Sequence, residues 1–133
     1  MPEADAPAES LRRRWRSRRY AVVDDSMRPT LLPGDRLLVD PAPVRAALPP
    51  VGAIVVLRDP EQPARALVKR IAARDERADR VTVLGDAAER SRDSRAFGDV
   101  PRASLIGVVW FRYLPGPRRG PIAAGRPPEP PKL

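Results

Sequence analysis

The feature that most restricts the fold of this chain is a series of short apolar segments separated by turn-forming residues. Val, Ile and Leu dominate the segments, and Pro, Gly and Asp fill the breaks between them. This pattern predicts short strands at residues 20–23, 36–40, 53–58, 66–73, 80–84 and 105–113. No segment with helical periodicity lies between them, so we expect a mostly β fold built on an antiparallel sheet.

The two ends of the chain differ from its middle in composition. At 133 residues, the chain is long enough for one domain with its own core. Residues 1–9 are rich in Ala, Pro and acids, residues 10–19 are rich in Arg, and residues 115–133 are rich in Pro and Gly. We therefore expect residues 1–19 to be disordered or to form a short basic helix, residues 20–114 to form the domain, and residues 115–133 to form a disordered tail.

The absence of two residue types limits the chemistry. The chain contains no His and no Cys. This excludes a Ser-His-Asp triad, a thiolate nucleophile and the usual zinc ligands. In an enzyme that uses a serine, the general base would be Lys, Asp, Glu or a chain terminus. We expect no cofactor and no metal, although a metal site made of carboxylates alone stays open.

Lys69 is the candidate base. It is one of only two lysines among 25 basic residues, and arginine cannot give up its proton at any useful pH. Alternation along the predicted strand places Lys69 on the same face as Leu67 and Ile71. Burial there would lower the pKa of the ammonium towards the range that suits a base. The alternative is a lysine whose stem packs while its ammonium reaches solvent.

Ser26 is the candidate nucleophile. It follows a short apolar strand and precedes Pro29, which fixes its own φ and favours an extended backbone at Arg28. We therefore expect the Ser26 hydroxyl to lie on a stiff turn. An ordinary serine in a turn is the alternative interpretation.

A polar loop at residues 85–95 could support this pair. Within it, Ser91 could accept a hydrogen bond from the amine of Lys69, and Asp93 could form an ion pair with Arg95 that stiffens the loop. Taken alone, the same residues would suit an ordinary surface loop.

Together these segments resemble the type I signal peptidase family of Ser-Lys proteases. The resemblance runs from about Val22 to Tyr113 and rests on residues 26–31, Gly34-Asp35, Val68-Lys69-Arg70, Gly85-Asp86, residues 91–95, Gly98 and Val100. It implies a mostly antiparallel, partly closed β barrel with a catalytic groove. It also implies Ser26 as nucleophile, neutral Lys69 as general base, and Ser91, Asp93 and Arg95 as supporting residues.

The resemblance further implies small apolar pockets for the substrate residues one and three positions before the cleaved bond. The positions that match the pockets are Val22, Met27, Leu31, Leu37, Val56 and Val68. The expected partner is a precursor protein whose N-terminal extension binds as an added strand and is cut after an Ala-x-Ala-like site. Among the soluble members of the family, the chain looks most like the proteases that mature nickel superoxide dismutase.

Two residues depart from the family pattern. Asp24 stands where the family usually has Ser or Gly, and an ionised carboxylate cannot donate a hydrogen bond to an oxyanion. Ala87 stands where the loop usually has Asn. These departures keep open a noncatalytic binding domain on the same fold, and a general signal peptidase acting peripherally at the membrane is a further alternative.

Charge and hydropathy suggest where the protein acts. The net charge of +8 lies mostly in the two ends, so we expect no nucleic-acid partner. No apolar run approaches the roughly 18 residues that cross a bilayer. We expect a cytoplasmic protein, with at most a weak peripheral contact between its Arg-rich N-terminus and an anionic membrane.

Overall fold

The computed structural model describes residues 6–125, and within them eight strands form one antiparallel sheet. The strands are β1 (Arg18–Ala21), β2 (Arg36–Asp40), β3 (Ile54–Arg58), β4 (Ala66–Asp75), β5 (Arg80–Leu84), β6 (Val100–Pro101), β7 (Leu105–Leu114) and β8 (Gly120–Pro121). The same part of the chain forms the helices α1 (Ala6–Arg16), α2 (Ala42–Ala46) and α3 (Ser94–Phe97). Single 3₁₀ turns lie at Ala88–Arg90, Arg102–Ser104 and Gly116–Arg118. None of the described helices is long and apolar enough to cross a membrane.

The sheet is open. Its strand order is β1-β2-β7-β3-β4-β5-β6, and β8 pairs with β7 outside this path. Because β1 and β6 lie at opposite ends of the order, the described strands do not close into a barrel. Register shifts interrupt the β2–β7, β3–β7 and β4–β5 pairings, and such bulges increase the local twist. The expected mostly β, antiparallel fold is confirmed.

The predicted strands agree closely with the observed ones. β2 and β5 have the predicted bounds, and β3, β4 and β7 agree within two residues. β1 begins earlier than expected because Arg18 and Arg19 belong to it, pairing with Val39 and Leu38 of β2. This edge strand carries charged residues, which hide its strand signal in the sequence.

Both faces of the central strand β3 are covered by apolar side chains. Val55 and Leu57 belong to one buried cluster, and Ile54 and Val56 belong to another. This two-sided burial explains why β3 is apolar at successive positions. The second cluster continues into the segment that carries the candidate nucleophile.

The N-terminal segment forms a short basic helix, one of the two forms expected for residues 1–19. This helix, α1, ends at Arg16, and the last two residues of the segment, Arg18 and Arg19, belong to β1. Arg13 and Arg16 fasten α1 to the sheet, since each donates a 2.8 Å hydrogen bond to the buried carboxylate of Asp40. Residues 1–5 lie outside the described part of the chain.

Residues 115–125 differ from the predicted disordered tail. β8 pairs with β7, Ile122 packs against the second cluster, and the Gly125 carbonyl accepts a 3.0 Å hydrogen bond from Arg70. The Pro- and Gly-rich composition does not reveal these partners, and Arg70 and most of the second cluster lie far away in the sequence. The rest of the predicted tail, residues 126–133, lies outside the described residues.

Candidate functional site

Ser26 lies in the tight connection between β1 and β2. The ends of this connection are held together by two backbone hydrogen bonds, from Val22 N–H to the Asp35 carbonyl at 2.9 Å and from Gly34 N–H to the Val22 carbonyl at 2.8 Å. Ser26 is only 2% exposed. Its Oγ is buried and has no hydrogen-bond partner within residues 6–125. A buried hydroxyl without a partner is unusual in a purely structural serine.

Lys69 lies in the middle of β4 and is 2% exposed. Its Nζ donates a 3.0 Å hydrogen bond to Ser91 Oγ. Burial lowers the pKa of the Lys69 ammonium below its ordinary value, and the carboxylates of Asp24 and Asp93 partly offset this effect. The surroundings of Lys69 therefore destabilise its charged form, which is the main requirement of a lysine base.

Ser91 is in turn held by Asp93. Ser91 Oγ donates a 2.6 Å hydrogen bond to Asp93 Oδ2, and that carboxylate also accepts one from Gly85 N–H at 2.9 Å. Arg95 pairs with Asp93 through Nη2 at 2.6 Å and Nε at 3.0 Å. Burial alone would raise the pKa of Asp93, but the hydrogen bonds from Arg95, Ser91 and the backbone hold it well below its usual range. Asp93 is therefore a fixed acceptor that orients Ser91.

Gly85 packs between the nucleophile segment and the Ser91 loop. A Cβ at Gly85 would lie 2.2 Å from Ser91 Oγ and 2.6 Å from the Ser26 carbonyl oxygen. Ala87 N–H also donates a 2.9 Å hydrogen bond to that same carbonyl. The close approach of the two segments therefore requires a residue without a side chain at position 85.

The structure thus brings the five expected site residues into one connected cluster. Hydrogen bonds run from Arg95 through Asp93 and Ser91 to Lys69, and Gly85 lies between Ser91 and Ser26. One contact is absent from the described residues. Lys69 Nζ donates to Ser91, and Ser26 Oγ accepts no hydrogen bond from it. In catalytic sites without substrate, such hydrogen bonds are often long and tighten only on binding.

Asp24 makes a contact that the sequence did not reveal. Ser26 N–H donates a 3.1 Å hydrogen bond to Asp24 Oδ1. Because the carboxylate at position 24 cannot donate, an oxyanion formed next to Ser26 would depend on this backbone N–H as a donor. The signal available in the sequence was only the acidic residue at position 24.

A small apolar cavity of about 50 Å³ lies beside this segment. Four of the six expected pocket residues line it: Val22, Leu37, Val56 and Val68. Met27 and Leu31 do not line it, because both are fully buried in the cluster beneath. Lining residues that the sequence did not suggest are Tyr20, Ala21, Val23, Asp24, Ala66 and Leu67.

A buried ion pair next to Lys69 was also missed. Arg70 donates to both oxygens of Asp86, at 2.6 and 2.8 Å, and Thr30 Oγ1 donates to Asp86 at 2.7 Å. Arg70 also donates to the Gly52 carbonyl at 2.8 Å. These contacts tie β4, the loop after β5 and the nucleophile segment together. An arginine within an apolar strand was the available sequence signal.

The described residues contain no group of three or more acidic side chains that could hold a metal ion. The cluster contains the buried hydroxyl of Ser26 and the amine of Lys69, whose pKa is lowered. The carboxylate of Asp93 fixes the residue that holds this amine. Such an arrangement can support proton transfer to and from a serine nucleophile.

Comparison with known proteins gave one family and two similar sequences. Residues 12–75 and 76–114 match the family described as signal peptidase, peptidase S26. The mitochondrial ATP-independent inner membrane protease subunit 1b of Arabidopsis thaliana is 36% identical over an alignment that covers 73% of this chain and 70% of that protein. A probable signal peptidase I-1 of Synechocystis sp. is 28% identical over an alignment that covers 77% of this chain and 74% of that protein.

Proposed function

Because the chain belongs to the signal peptidase family, peptidase S26, and is a protease of the signal peptidase I type, we propose that Ser26 is its nucleophile and Lys69 its general base. The observation that carries this assignment is the burial of Lys69 and its 3.0 Å hydrogen bond to Ser91 in a chain that has no His. A buried lysine with a lowered pKa can be neutral at a pH where an exposed lysine is charged.

The reaction follows from these roles. The neutral Lys69 amine takes the proton of Ser26 Oγ as the oxygen attacks the carbonyl carbon of the scissile bond. The resulting ammonium gives the proton to the leaving amine when the C–N bond breaks, which leaves an acyl-enzyme. Water then attacks the ester carbonyl carbon and gives a proton to Lys69. The bond between that carbon and Ser26 Oγ breaks, the ammonium returns the proton to Oγ, and the new carboxyl terminus leaves. Ser91 acts as a positioning residue that directs the amine, and Asp93 with Arg95 fixes Ser91.

The substrate we propose is a precursor protein with an N-terminal extension, cut after a small residue. The 50 Å³ cavity supports this, since its walls are aliphatic apart from Tyr20 and Asp24 and its small volume suits a small side chain. As a specific precursor we propose that of nickel superoxide dismutase, on the resemblance of residues 22–113 to the soluble proteases that mature it.

A second candidate, a signal peptidase that acts peripherally at a membrane, is favoured by one feature of α1. Leu11 and Trp15 are 55% and 81% exposed, one turn apart, among the arginines of this helix. An apolar pair with basic neighbours suits weak binding to an anionic surface. This candidate and a cytoplasmic location are distinguished by whether vesicles of anionic lipid, added at constant precursor concentration, raise the rate of cleavage.

The test of the proposed function is cleavage of purified precursors that carry Ala-x-Ala-like sites, with the new N-terminus mapped by mass spectrometry. The parent protein should cut after the small residue, and Ser26→Ala should not. Ser104→Ala, which removes a serine hydroxyl in the 3₁₀ turn Arg102–Ser104 and outside this cluster, is the matched control and should cut normally. No cleavage of any precursor by the folded parent would favour a noncatalytic binding domain instead.

A further inference from the structure

Asp24 is the one charged residue among those that line the small cavity. The other lining residues are aliphatic, apart from Tyr20. The Asp24 side chain is exposed at this rim. A carboxylate at the mouth of an apolar pocket does not serve the recognition of small side chains, so another role is needed.

Asp24 also lacks a cationic partner among residues 6–125, in contrast to its neighbour. Asp25 pairs with Arg28 and, at 3.7 Å, with Arg90. The described salt bridges include none to Asp24. In this chain, whose net charge is +8, a carboxylate that lies beside a pocket and forms no described salt bridge is available to a cation from outside.

The position of Asp24 opposes the proposed chemistry in two ways. Its carboxylate accepts the hydrogen bond of Ser26 N–H at 3.1 Å, so that donor is occupied when an oxyanion would need it. The same negative charge favours the ammonium form of Lys69. It therefore raises the pKa of Lys69 and opposes the effect of burial. Both effects would weaken if the carboxylate were drawn to another partner.

We propose that Asp24 selects substrates that carry a lysine or arginine side chain next to the small residue at the cleaved bond, and that pairing with this cation releases Ser26 N–H for the oxyanion. The proposal rests on the proposed function and names its substrate class. The substrate cation compensates the charge of Asp24 and turns its carboxylate away from the backbone. Cleavage is thereby coupled to recognition of a basic side chain, and neutral peptides meet a site whose oxyanion donor is occupied.

The test uses peptides with one Ala-x-Ala-like site in which Lys or Gln is placed two residues before the bond or one residue after it. The parent protein should show a kcat/KM at least about tenfold higher for Lys than for Gln in at least one of these positions, which corresponds to about 1.4 kcal/mol. Asp24→Asn keeps the shape without the charge and should abolish this preference. Asp24→Lys should reverse the charge preference, so that peptides with Glu at the test position are cut faster than peptides with Lys. Asp25→Asn, the same change in a carboxylate that is already paired, should keep the preference of the parent.

A second measurement does not depend on turnover. Binding of the same peptides to Ser26→Ala should be tighter for Lys than for Gln, and this difference should vanish in Ser26→Ala/Asp24→Asn. Cleavage with equal rates for Lys and Gln, or a preference that survives Asp24→Asn, would overturn the role of Asp24 and leave the protease assignment intact. A charge preference in binding without cleavage of any peptide would overturn the protease assignment and support the recognition role of Asp24.

Discussion

Lys69 Nζ donates a 3.0 Å hydrogen bond to Ser91 Oγ, and this contact joins the middle of β4 to the loop that follows β5. The acceptor is itself a donor to Asp93 at 2.6 Å. The direction of the lysine amine is therefore set by a carboxylate two hydrogen bonds away.

Lys69→Arg should remove activity without unfolding the protein. Arginine keeps the positive charge but never supplies a neutral base, so cleavage should fall by about 10²- to 10⁴-fold. The measurement is kcat/KM for a precursor, with circular dichroism to check folding and Lys132→Arg as the control for the same exchange elsewhere. If Arg does not fit the buried site, Lys69→Met offers a neutral replacement of similar length. Activity of either folded variant within a few fold of the parent would remove Lys69 from the mechanism.

Activity should rise from neutral towards alkaline pH. Burial lowers the pKa of Lys69, and the amine acts as a base only when it is neutral. Therefore kcat/KM should increase as the pH rises through that pKa. Stability should respond in the same direction. Between the folded pKa and the higher pKa of unfolded lysine, the unfolded state binds more protons, so the free energy of unfolding rises with pH. The checks are a pH profile of cleavage and the difference in unfolding free energy between the parent and Lys69→Met. A flat profile in both would contradict the prediction.

Gly85→Ala should damage the site more than the fold around it. The new Cβ would clash with Ser91 Oγ at 2.2 Å and with the Ser26 carbonyl oxygen at 2.6 Å, so it should push the two segments apart. We expect a loss of stability of about 1–3 kcal/mol and a larger relative loss of kcat/KM. Gly116→Ala is the control because a Cβ there meets nothing within 4 Å. Equal behaviour of the two variants would show that the segments move apart freely.

Truncation should show whether residues 115–125 pack on the domain, as in the structure, or form part of a disordered tail, as the sequence suggested. A chain that ends at residue 125 keeps every contact described above and should melt like the parent. A chain that ends at residue 114 loses β8, the packing of Ile122 and the Gly125 carbonyl that accepts from Arg70. Its melting temperature should fall by more than about 5 °C, since a loss of 1 kcal/mol lowers the midpoint of a small domain by about that much. Unchanged thermal unfolding of the shorter chain would instead restore the sequence-based boundary at residue 114.

Val56→Ala should widen the range of residues accepted at the cleaved bond. Val56 is buried and lines the cavity, so truncating it adds space in which a larger side chain fits. The parent should cut after Ala far faster than after Val, and the variant should narrow that ratio by about tenfold or more, since tenfold is the lower end of the effect of one methylene in an apolar pocket. The ratio of kcat/KM values for paired peptides is the measurement. Val51→Ala, at an exposed position, is the control and should leave the ratio unchanged.

The amino-acid sequence alone determined the class of the fold and most strand positions. Short apolar segments and turn-forming breaks are local signals, and the bounds of β2 and β5 follow them without error. The same local logic placed Lys69 on an apolar face, where the structure buries it. The lack of His and Cys narrowed the chemistry to a lysine or carboxylate base before any fold was known.

Only the tertiary structure decided which distant groups meet. The Arg70–Asp86 pair, the insertion of Gly85 between Ser26 and Ser91, and the packing of residues 115–125 each join segments that lie far apart in the sequence. Composition predicts whether a segment can bury its own side chains, but it does not show that a Pro- and Gly-rich segment finds partners elsewhere in the fold. The contact between Ser26 N–H and Asp24 is local in sequence, yet it depends on the exact backbone of one turn, which the neighbouring strands impose.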